Sequence, residues 1–328
     1  MNKKCIFVNG GLGFLGCFIS LELIKKGFNV IIVDRMVQLA HMRDGLYSTF
    51  VNERLSLLKE HDVTIVTMDI DNSQKYLKLL EKYSPVAIYC MNAVTDVKFC
   101  NTNPNTAITE NIAKVENILN YISKTNTNIR VVFASSASAY GHFSKKEVDE
   151  TSPLEPVNIY GYSKMASEKL IQLYNHIYGI PYTIIRPSSP YGPLRVNKTI
   201  TQIIIEKAIR EEIVYINGDG EIKLDFTYVS DTVQGFVLGG TEKGASNQIF
   251  NISYGEARTL NNLLKIAKTF FTKLKIEYKA QDKAAANRGA LKISKAKHLL
   301  NYHPQVSLEN GYSKYIEWYL NGNYAKLL

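Results

Sequence analysis

The sequence "VNGGLGFLG" at residues 8–16 joins an apolar strand pattern to a helix pattern. Gly10, Gly13 and Gly16 follow the strand at three-residue spacing. In such a unit the first glycine permits a tight turn, the second lets a pyrophosphate approach the backbone, and the third lets the helix pack closely on the sheet. The helix N-terminus also attracts phosphate charge. The stretch therefore predicts a dinucleotide site, which we expect Phe14 and Leu15 to line as well.

Strand and helix patterns alternate through the first 187 residues. Short apolar runs occur at 5–10, 29–34, 63–69, 86–90, 129–136 and 182–187, with helical patterns between them, among them 14–26, 104–123 and 158–178. This alternation is typical of an α/β fold with a doubly wound parallel (Rossmann) sheet. We expect residues 1–187 to form this domain and residues 188–328 to form a smaller, discontinuous α/β lobe. The strand-like segments 225–229 and 250–255 could rejoin the first sheet or pair with each other.

Composition argues against several classes of function. The net charge of +9 comes from lysines that are scattered along the 328 residues. A protein that binds nucleic acid or a membrane surface usually carries its basic residues in a clustered patch, so this distribution argues against both roles. The four cysteines lack the spacing of metal ligands and predict buried thiols in a reducing compartment, so we expect a cytoplasmic protein without a metal site. No run of about 18 apolar residues predicts a membrane span.

Acidic residues end the second and third strand patterns. Asp34 lies 18 residues past Gly16, where a carboxylate can accept hydrogen bonds from ribose hydroxyls and would repel a 2′-phosphate. This position favours NAD over NADP, although the adjacent Arg35 weakens the inference. Asp69, followed by Ile70, could meet the adenine of the dinucleotide or could instead cap the next helix.

A tyrosine and a lysine lie four residues apart in "NIYGYSKMASEK" at residues 158–169. Tyr160 is the only one of 21 tyrosines with a lysine at this spacing, Lys164, and on a helix the two side chains share one face. A surface helix is the alternative reading. Upstream, Ser135, Ser136 and Ser138 follow the fifth strand pattern, where ligands of open α/β sheets bind, unless this is an ordinary serine-rich turn.

These motifs occur in an order that resembles the extended short-chain dehydrogenase/reductase family, specifically its nucleotide-sugar epimerases and dehydratases, and is similar to UDP-glucose 4-epimerases. Three further segments carry the resemblance: "NPNTAITENIAKVENIL" at 103–119, "RPSSPYGP" at 186–193 and "GDGEIKLDFTYVSDTV" at 218–233. The resemblance covers nearly the whole chain. It implies bound NAD, a nucleotide-diphosphate sugar as substrate, and a homodimer formed through the helices near 104–123 and 158–178.

The resemblance also implies roles for single residues. Tyr160 would be the catalytic base, Lys164 would bind the nicotinamide ribose and lower the tyrosine pKa, and Ser136 would hydrogen-bond the reacting sugar oxygen. Pro187 would line the cofactor site. A tyrosine pKa near 10 would have to fall by roughly three units, about 4 kcal/mol, for the phenolate to act at neutral pH.

The residues after the active-site hydroxyl bear on the reaction. Family 4,6-dehydratases usually carry Asp-Glu there, whereas this chain has Ala137-Ser138, so the resemblance favours a 4-epimerase acting through a 4-keto intermediate. A nucleotide-sugar C4 dehydrogenase or 4-ketoreductase would use the same residues. A non-catalytic NAD-binding scaffold is a third reading, and it would be expected to lack Tyr160, Lys164 or Ser136.

Several positions depart from the family's pattern around the substrate. The arginine usual before Asp225, which grips the diphosphate, is Leu224, and Arg195, Lys223 or Arg288 could compensate. Ser189-Pro190 replaces the usual asparagine before "YGP". We expect Ser138 and Ser189 to contact the substrate. The usual His-Leu-Ala-Ala after the fourth strand is Tyr-Cys-Met-Asn at 89–92, which would crowd the edge that faces the cofactor.

Overall fold

A parallel sheet of seven strands lies at the centre of the computed structural model, which describes residues 3–36, 45–61, 63–125, 128–143, 145–280, 288–322 and 324–328. Its strands are β1 (Cys5–Asn9), β2 (Asn29–Asp34), β3 (Thr64–Thr67), β4 (Ala87–Cys90), β5 (Arg130–Ala134), β7 (Tyr182–Pro187) and β12 (Gln248–Ile252). Across the sheet they run in the order β12-β7-β5-β4-β1-β2-β3. This arrangement confirms the predicted doubly wound parallel sheet.

The strand order reverses between β1 and β4, which are direct neighbours. Chain connections leave β1 towards β2 on one side and leave β4 towards β5 on the other, so a crevice opens at the carboxyl ends of β1 and β4. Ligands of open α/β sheets bind in this crevice. The glycine turn at 10–13 therefore stands at the point where the fold itself provides a binding site.

Helices cover both faces of the sheet. The helices are α1 (Phe14–Lys25), α2 (Leu46–Lys59), α3 (Ser73–Tyr83), α4 (Val97–Thr102), α5 (Pro104–Ile108), α6 (Lys114–Thr125), α7 (Ile159–Tyr178), α8 (Ile200–Ile209), α9 (Val229–Thr241), α10 (Leu260–Phe270), α11 (Ser294–Leu300) and α12 (Leu308–Asn321). One apolar core contains α1, α9 and α11, and the other contains α3, α6 and α7. Strand β2 contributes to both, since Ile31 and Ile32 point to opposite faces. No described helix is both long enough and apolar enough for a membrane span.

A third apolar core holds the remaining elements together. It contains α8, α10, α12 and β9 (Val214–Asn217). Helix α2 also packs there through Leu46, Phe50 and Val51, although it lies between β2 and β3 in the chain. The other short strands are β6 (Glu147–Val148), β8 (Pro190–Tyr191), β10 (Lys223–Leu224), β11 (Thr227–Tyr228), β13 (Arg258–Thr259), β14 (Ile276–Lys279) and β15 (Ala290–Leu291).

The two strand-like segments of the second half behave differently. Strand β12, which overlaps the segment predicted at 250–255, pairs with β7 and extends the large sheet. Strand β11, within the segment at 225–229, pairs with β8 instead. A boundary between two domains at residue 187 stays a prediction.

The helix predicted at 104–123 is interrupted. Residues Thr109–Ala113 form a π-helical turn between α5 and α6. A π-turn inserts a residue into the helical repeat and rotates the side chains that follow, and such turns are frequent at functional sites. Here the side chain of Asn111, in the middle of the turn, accepts from the N–H of Val94 and donates to its carbonyl oxygen. The prediction of one continuous helix is wrong at this point.

A buried ion pair joins α7 to the central sheet. Arg186 of β7 donates two hydrogen bonds to Glu168 of α7, at 2.6 Å from Nη2 to Oε2 and 2.9 Å from Nε to Oε1. The two side chains are only 3% and 1% exposed. Because the two bonds form a planar fork, the pair fixes the helix relative to the strand.

We expect Glu168→Gln to destabilise the protein by about 3–5 kcal/mol, because it leaves the Arg186 charge buried without a counter-charge. The matched control is Glu22→Gln, since Glu22 pairs with Lys25 on an exposed face of α1 with 41% and 63% of the side chains exposed. That change should alter the free energy of unfolding by no more than about 0.5 kcal/mol. Urea denaturation followed by circular dichroism measures both values. If both variants changed the free energy of unfolding by the same small amount, the buried pair would not have the stabilising role assigned to it.

Candidate active site

Two adjoining pockets lie at the crevice where the strand order reverses. They share the residues Gly10, Gly13, Met91 and Ala93. The first pocket is also lined by Leu12, Val33, Asp34, Arg35, Met36, Val51, Met68, Asp69, Ile70, Asn92, Glu110 and Lys114. The second pocket, of about 390 Å³, is also lined by Phe14, Leu15, Gly16, Thr95, Val97, Ala134, Ser135, Ser136, Ser138, Tyr160, Lys164, Pro187, Ser189, Pro190, Arg195, Val196, Asn197, Thr199 and Arg288.

The glycine turn forms the floor between the two pockets. Gly10 has a φ of +78°, and a Cβ there would lie 2.6 Å from the backbone nitrogen of Asn92. A Cβ at Gly16 would lie 2.3 Å from the carbonyl oxygen of Gly10. These two glycines therefore allow the turn, α1 and the end of β4 to pack together. Gly13 lines both pockets and leaves the N-terminus of α1 open to a ligand.

The carboxylate of Asp34 is held at the wall of the first pocket. Its Oδ2 accepts a hydrogen bond from the backbone N–H of Leu12 at 3.1 Å, and its Oδ1 accepts one from Met36 at 2.8 Å. A carboxylate has about four lone-pair sites, so both oxygens retain acceptor capacity. Asp34 can therefore receive the two hydroxyls of a ribose in the pocket.

Asp69 and Ile70 also line the first pocket, and the capping role considered for Asp69 is wrong. The side chain of Asn72 caps α3 by accepting from Lys75. Asp69 instead accepts from the ammonium group of Lys114 at 3.0 and 3.1 Å. Burial raises the pKa of the Asp69 carboxyl, but the N–H of Asp71 and the cations Lys114 and Arg35 lower it by more. Asp69 is thus an ionised group within a cluster of charges.

The start of α7 brings Tyr160 to the serines of the second pocket. Asn158 caps the helix by accepting from the N–H of Gly161 at 2.8 Å. A Cβ at Gly161 would lie 2.3 Å from the carbonyl oxygen of Ser138, so glycine permits this close contact. Ser136 lowers the pKa of Tyr160, and its hydroxyl accepts from the N–H of Ser138 at 3.1 Å. The tyrosine and the serine both line the second pocket.

Lys164 lies one helical turn beyond Tyr160 and is buried. Its ammonium donates to the carbonyl oxygen of Ala134 at 2.7 Å and lies 5.8 Å from the centre of the Tyr160 ring. Burial lowers the lysine pKa to about 8, against the opposing effect of Cys90, Cys100 and Glu168. Burial therefore makes this lysine easier to deprotonate than an exposed one.

Two arginines of the second half of the chain act on the Tyr160 hydroxyl. Burial raises the pKa of Tyr160, and Ser136, Arg195 and Arg288 oppose this rise. That Lys164 lowers the tyrosine pKa stays a prediction.

Both arginines line the second pocket without a carboxylate partner among the described residues. Arg195 donates to the carbonyl oxygens of Pro190 and Asn197 and lies over the ring of Phe14 at 5.4 Å. Arg288 donates to the hydroxyl of Ser138 at 3.0 Å. Burial lowers the pKa of both guanidinium groups, and no aspartate or glutamate is among the described residues that line this pocket. Half-buried cations without a carboxylate partner favour an anionic ligand.

Other predicted site residues divide into two groups. Pro187 and Ser189 line the second pocket. Lys223 is exposed in β10, where it pairs with Thr259, and it is not among the residues that line either described pocket. Tyr89 and Cys90 are fully buried in the sheet, so of the four residues at 89–92 only Met91 and Asn92 reach the pockets.

Several side chains that support the site are not among the predicted site residues. Asn111 binds both backbone groups of Val94 and donates to the Ser163 hydroxyl at 3.0 Å. The Ser135 hydroxyl donates to Glu168, the acid of the buried ion pair. Asn111 stands in the quoted segment at 103–119 and could have been singled out there. Nothing in the sequence indicates the contact between Ser135 and Glu168.

Comparison with known proteins is consistent with this geometry. A putative UDP-glucose 4-epimerase of Methanocaldococcus jannaschii is 31% identical over 323 residues, covering 97% of this chain and 99% of that protein. UDP-glucuronate 4-epimerase 1 of Arabidopsis thaliana is 28% identical over 340 residues, covering 96% of this chain and 76% of that protein. The crystal structure of UDP-glucose 4-epimerase from Thermotoga maritima with UDP-glucose superimposes with a TM-score of 0.85 at 27% identity, covering 97% of this chain and 99% of that one.

The family model that matches this chain spans residues 6–253. This range contains the glycine turn, the serines after β5, Tyr160, Lys164 and the strand that returns to the sheet. The protein belongs to the NAD dependent epimerase/dehydratase family.

Proposed function

We propose that the protein is a nucleotide-sugar 4-epimerase that uses NAD and acts through a 4-keto intermediate. The observation that carries this function is the presence of Tyr160, Ser136 and Lys164 in one pocket that shares its glycine floor with the Asp34 pocket. A proton acceptor and a dinucleotide site thus adjoin in one crevice. Two relatives of this chain are named as a putative UDP-glucose 4-epimerase and a UDP-glucuronate 4-epimerase.

The residues of the crevice fit NAD. Gly13 leaves space at the N-terminus of α1, where the helix dipole and free N–H groups would hold the pyrophosphate. Asp34 would accept the adenosine ribose hydroxyls, and Ile70 and Asp69 lie at the same end of the crevice. Lys164, at the other end, would hold the nicotinamide ribose. Bound NAD supplies the acceptor, and later the donor, of the C4 hydride.

The side chains of the second pocket divide the proton chemistry between them. Tyr160 accepts the proton of the C4 hydroxyl as the sugar is oxidised, and it returns the proton when the 4-keto sugar is reduced on its other face. Ser136 hydrogen-bonds the same sugar oxygen and keeps it next to the phenol. The sequence of oxidation and reduction leaves no net change in the cofactor.

The lining of the second pocket favours epimerisation over dehydration. Removal of water needs an acid and a base beside the tyrosine, and carboxylates usually provide them. The positions after Ser136 are Ala137 and Ser138, and the described lining of the pocket has no aspartate or glutamate. A C4 dehydrogenase or 4-ketoreductase remains the second candidate, because it needs only the same three side chains. A non-catalytic scaffold would have no use for them.

We further propose that Arg195 and Arg288 bind the diphosphate of the substrate. Leu224, at the position of the usual arginine, is part of the third apolar core, whereas these two guanidinium groups point to the second pocket. Ser138 would bind the sugar beside Arg288, and Ser189 lies on the same wall. In this assignment residues 1–187 with β12 hold the cofactor, and the remaining chain supplies the cations for the substrate.

The four free, buried thiols support a reducing compartment such as the cytoplasm.

The function is tested by what the purified protein releases and converts. We expect denatured protein to release NAD or NADH, and intact protein to convert UDP-glucose or UDP-glucuronate into the C4 epimer without added cofactor. Chromatography identifies both products, and absorbance at the NADH wavelength follows the cofactor. Net accumulation of NADH would favour the dehydrogenase. A protein that holds no dinucleotide and converts neither sugar would contradict the proposal.

We expect Tyr160→Phe to reduce turnover by at least about 100-fold, because the general base is lost, while the affinity for NAD changes little. Tyr162→Phe is the matched control, since Tyr162 lies on the same helix, is 52% exposed and is not among the residues that line the pockets. Steady-state kinetics and a dinucleotide titration give the two values for each variant. Activity close to normal in Tyr160→Phe would remove this residue from the proposed mechanism.

We propose a homodimer formed through the helices near 104–123 and 158–178, in which α5 and α7 expose large apolar side chains. Leu173 and Ile177 of α7 are 49% and 57% exposed, and Ile108 of α5 is 46% exposed. We expect Leu173→Glu combined with Ile177→Glu to yield a monomer in analytical ultracentrifugation, because two buried charges would oppose association. Tyr278→Glu, a change at an exposed site in β14, should leave the dimer intact. A wild-type protein that sediments as a monomer would disprove the dimer.

A further inference from the structure

Five charged side chains form a cluster at the rim of the first pocket. We call this the rim cluster, and its members are Arg35, Asp69, Asp71, Glu110 and Lys114. The cluster contacts the pocket through four of these residues, all but Asp71. It lies beside Asp34, the residue that would bind the adenosine ribose, so its charges act on the part of a dinucleotide where NAD and NADP differ.

Arg35 is the residue that would attract a 2′-phosphate. It follows Asp34 directly and lines the same pocket, and an arginine near this position can accommodate the phosphate of NADP. Its side chain is 38% exposed, so a ligand could reach it. Considered alone, Arg35 would oppose the preference for NAD that Asp34 produces.

Glu110 removes this opposing charge. Its carboxylate accepts from Arg35 at 2.7 Å between Nη2 and Oε2 and at 3.2 Å between Nη1 and Oε1. Such a fork orients the guanidinium group as well as neutralising it. Asp69 accepts a further bond from the Nη1 of Arg35 at 3.2 Å. The guanidinium group of Arg35 therefore faces the carboxylates of Glu110 and Asp69.

The second cation of the rim cluster is not available to a ligand either. Lys114 is 3% exposed, and its ammonium lies 3.0 Å from Asp69, 3.4 Å from Glu110 and 3.6 Å from Asp71. The cluster has two cations and three carboxylates, so its net charge is negative. The charge of Asp34 adds to it. The adenosine end of the crevice thus repels a phosphate.

The π-helical turn at Thr109–Ala113 sets this arrangement. Glu110 lies in the turn and is 17% exposed, while Lys114 begins the helix that follows. Both side chains line the first pocket, and Asn111 between them faces Val94 and Ser163. The irregular turn thus supplies an acid on the side of the crevice opposite β2.

We propose that Glu110 sets the choice of cofactor: by neutralising Arg35, it makes the adenosine pocket reject the 2′-phosphate of NADP. The proposal rests on the proposed binding of NAD in the crevice. Asp34 alone does not give the preference for NAD, because the adjacent Arg35 would attract the 2′-phosphate of NADP. Glu110 restores the preference by neutralising Arg35. Glu110 need not touch NAD itself, and it acts by controlling the charge and direction of Arg35.

Calorimetric titration of dinucleotide-free protein with NAD and with NADP tests this role. We expect Glu110→Gln to lower the ratio of the Kd for NADP to the Kd for NAD by about tenfold or more, since a charge-assisted contact to phosphate becomes available. The gain should shrink at high salt, because Arg35 is partly exposed to solvent. Glu116→Gln is the matched control: Glu116 lies on α6, binds Tyr174 and is not part of the described pocket lining. It should leave the ratio unchanged.

Two further variants identify the cation that is released. Arg35→Leu combined with Glu110→Gln should lose the gain in NADP affinity, and a gain that persists would overturn the proposal by pointing to Lys114. Arg35→Leu alone should change the ratio by less than about threefold, because the guanidinium group is already neutralised. A selective loss of NADP affinity in that variant would show that Arg35 was available in the native protein, and would also overturn it.

The outcomes separate this proposal from the proposed function. A native protein that binds NAD, together with an unchanged ratio in Glu110→Gln, would overturn the role of Glu110 and leave the function intact. A native protein that binds neither dinucleotide would contradict both.

Discussion

The contact between the start of α7 and the serine turn after β5 determines the geometry of the site. A Cβ at Gly161 would lie 2.3 Å from the carbonyl oxygen of Ser138, so the helix can approach this closely only with glycine at that position. The contact brings Tyr160 to Ser136, and it places Lys164 and Glu168 at the next two turns of the same helix face. Lys164 then binds Ala134, and Glu168 binds Ser135 and Arg186. One close backbone contact therefore aligns three functional groups with the end of β5.

The crevice has opposite electrostatic character at its two ends. At the first pocket, each cation of the rim cluster has carboxylates within 4 Å, and carboxylates outnumber cations. At the second pocket, Arg195 and Arg288 have no carboxylate partner among the residues that the structure describes. An uncharged ribose suits the first end, and an anionic group suits the second.

Sequence patterns predicted the parts of the site that depend on local structure. The glycine turn, Asp34 at the end of β2, and the spacing of Tyr160 and Lys164 each follow from the periodicity of one element, and the parallel sheet follows from their alternation. The family prediction is confirmed. The roles of individual site residues remain predictions, although the structure brings most of them into one crevice.

The remaining features depend on contacts between distant parts of the chain. Arg35 meets Glu110 across 75 residues, and Arg288 meets Ser138 across 150 residues. Lys223 and Arg288 were equal candidates in the sequence, and the pairing of β10 with β13 is what leaves Lys223 outside both described pockets. The π-turn was missed because its residues have an ordinary helical composition, and the contact of Asn111 with Val94 joins positions 17 residues apart.

The ionisation of Tyr160 depends on both halves of the molecule. Burial disfavours charge on the phenol and on the Lys164 ammonium alike. Arg195 and Arg288, which lower the pKa of Tyr160, come from segments beyond β7. Because both arginines line the pocket that contains Tyr160, the first half of the chain supplies the phenol and the second half supplies positive charge beside it.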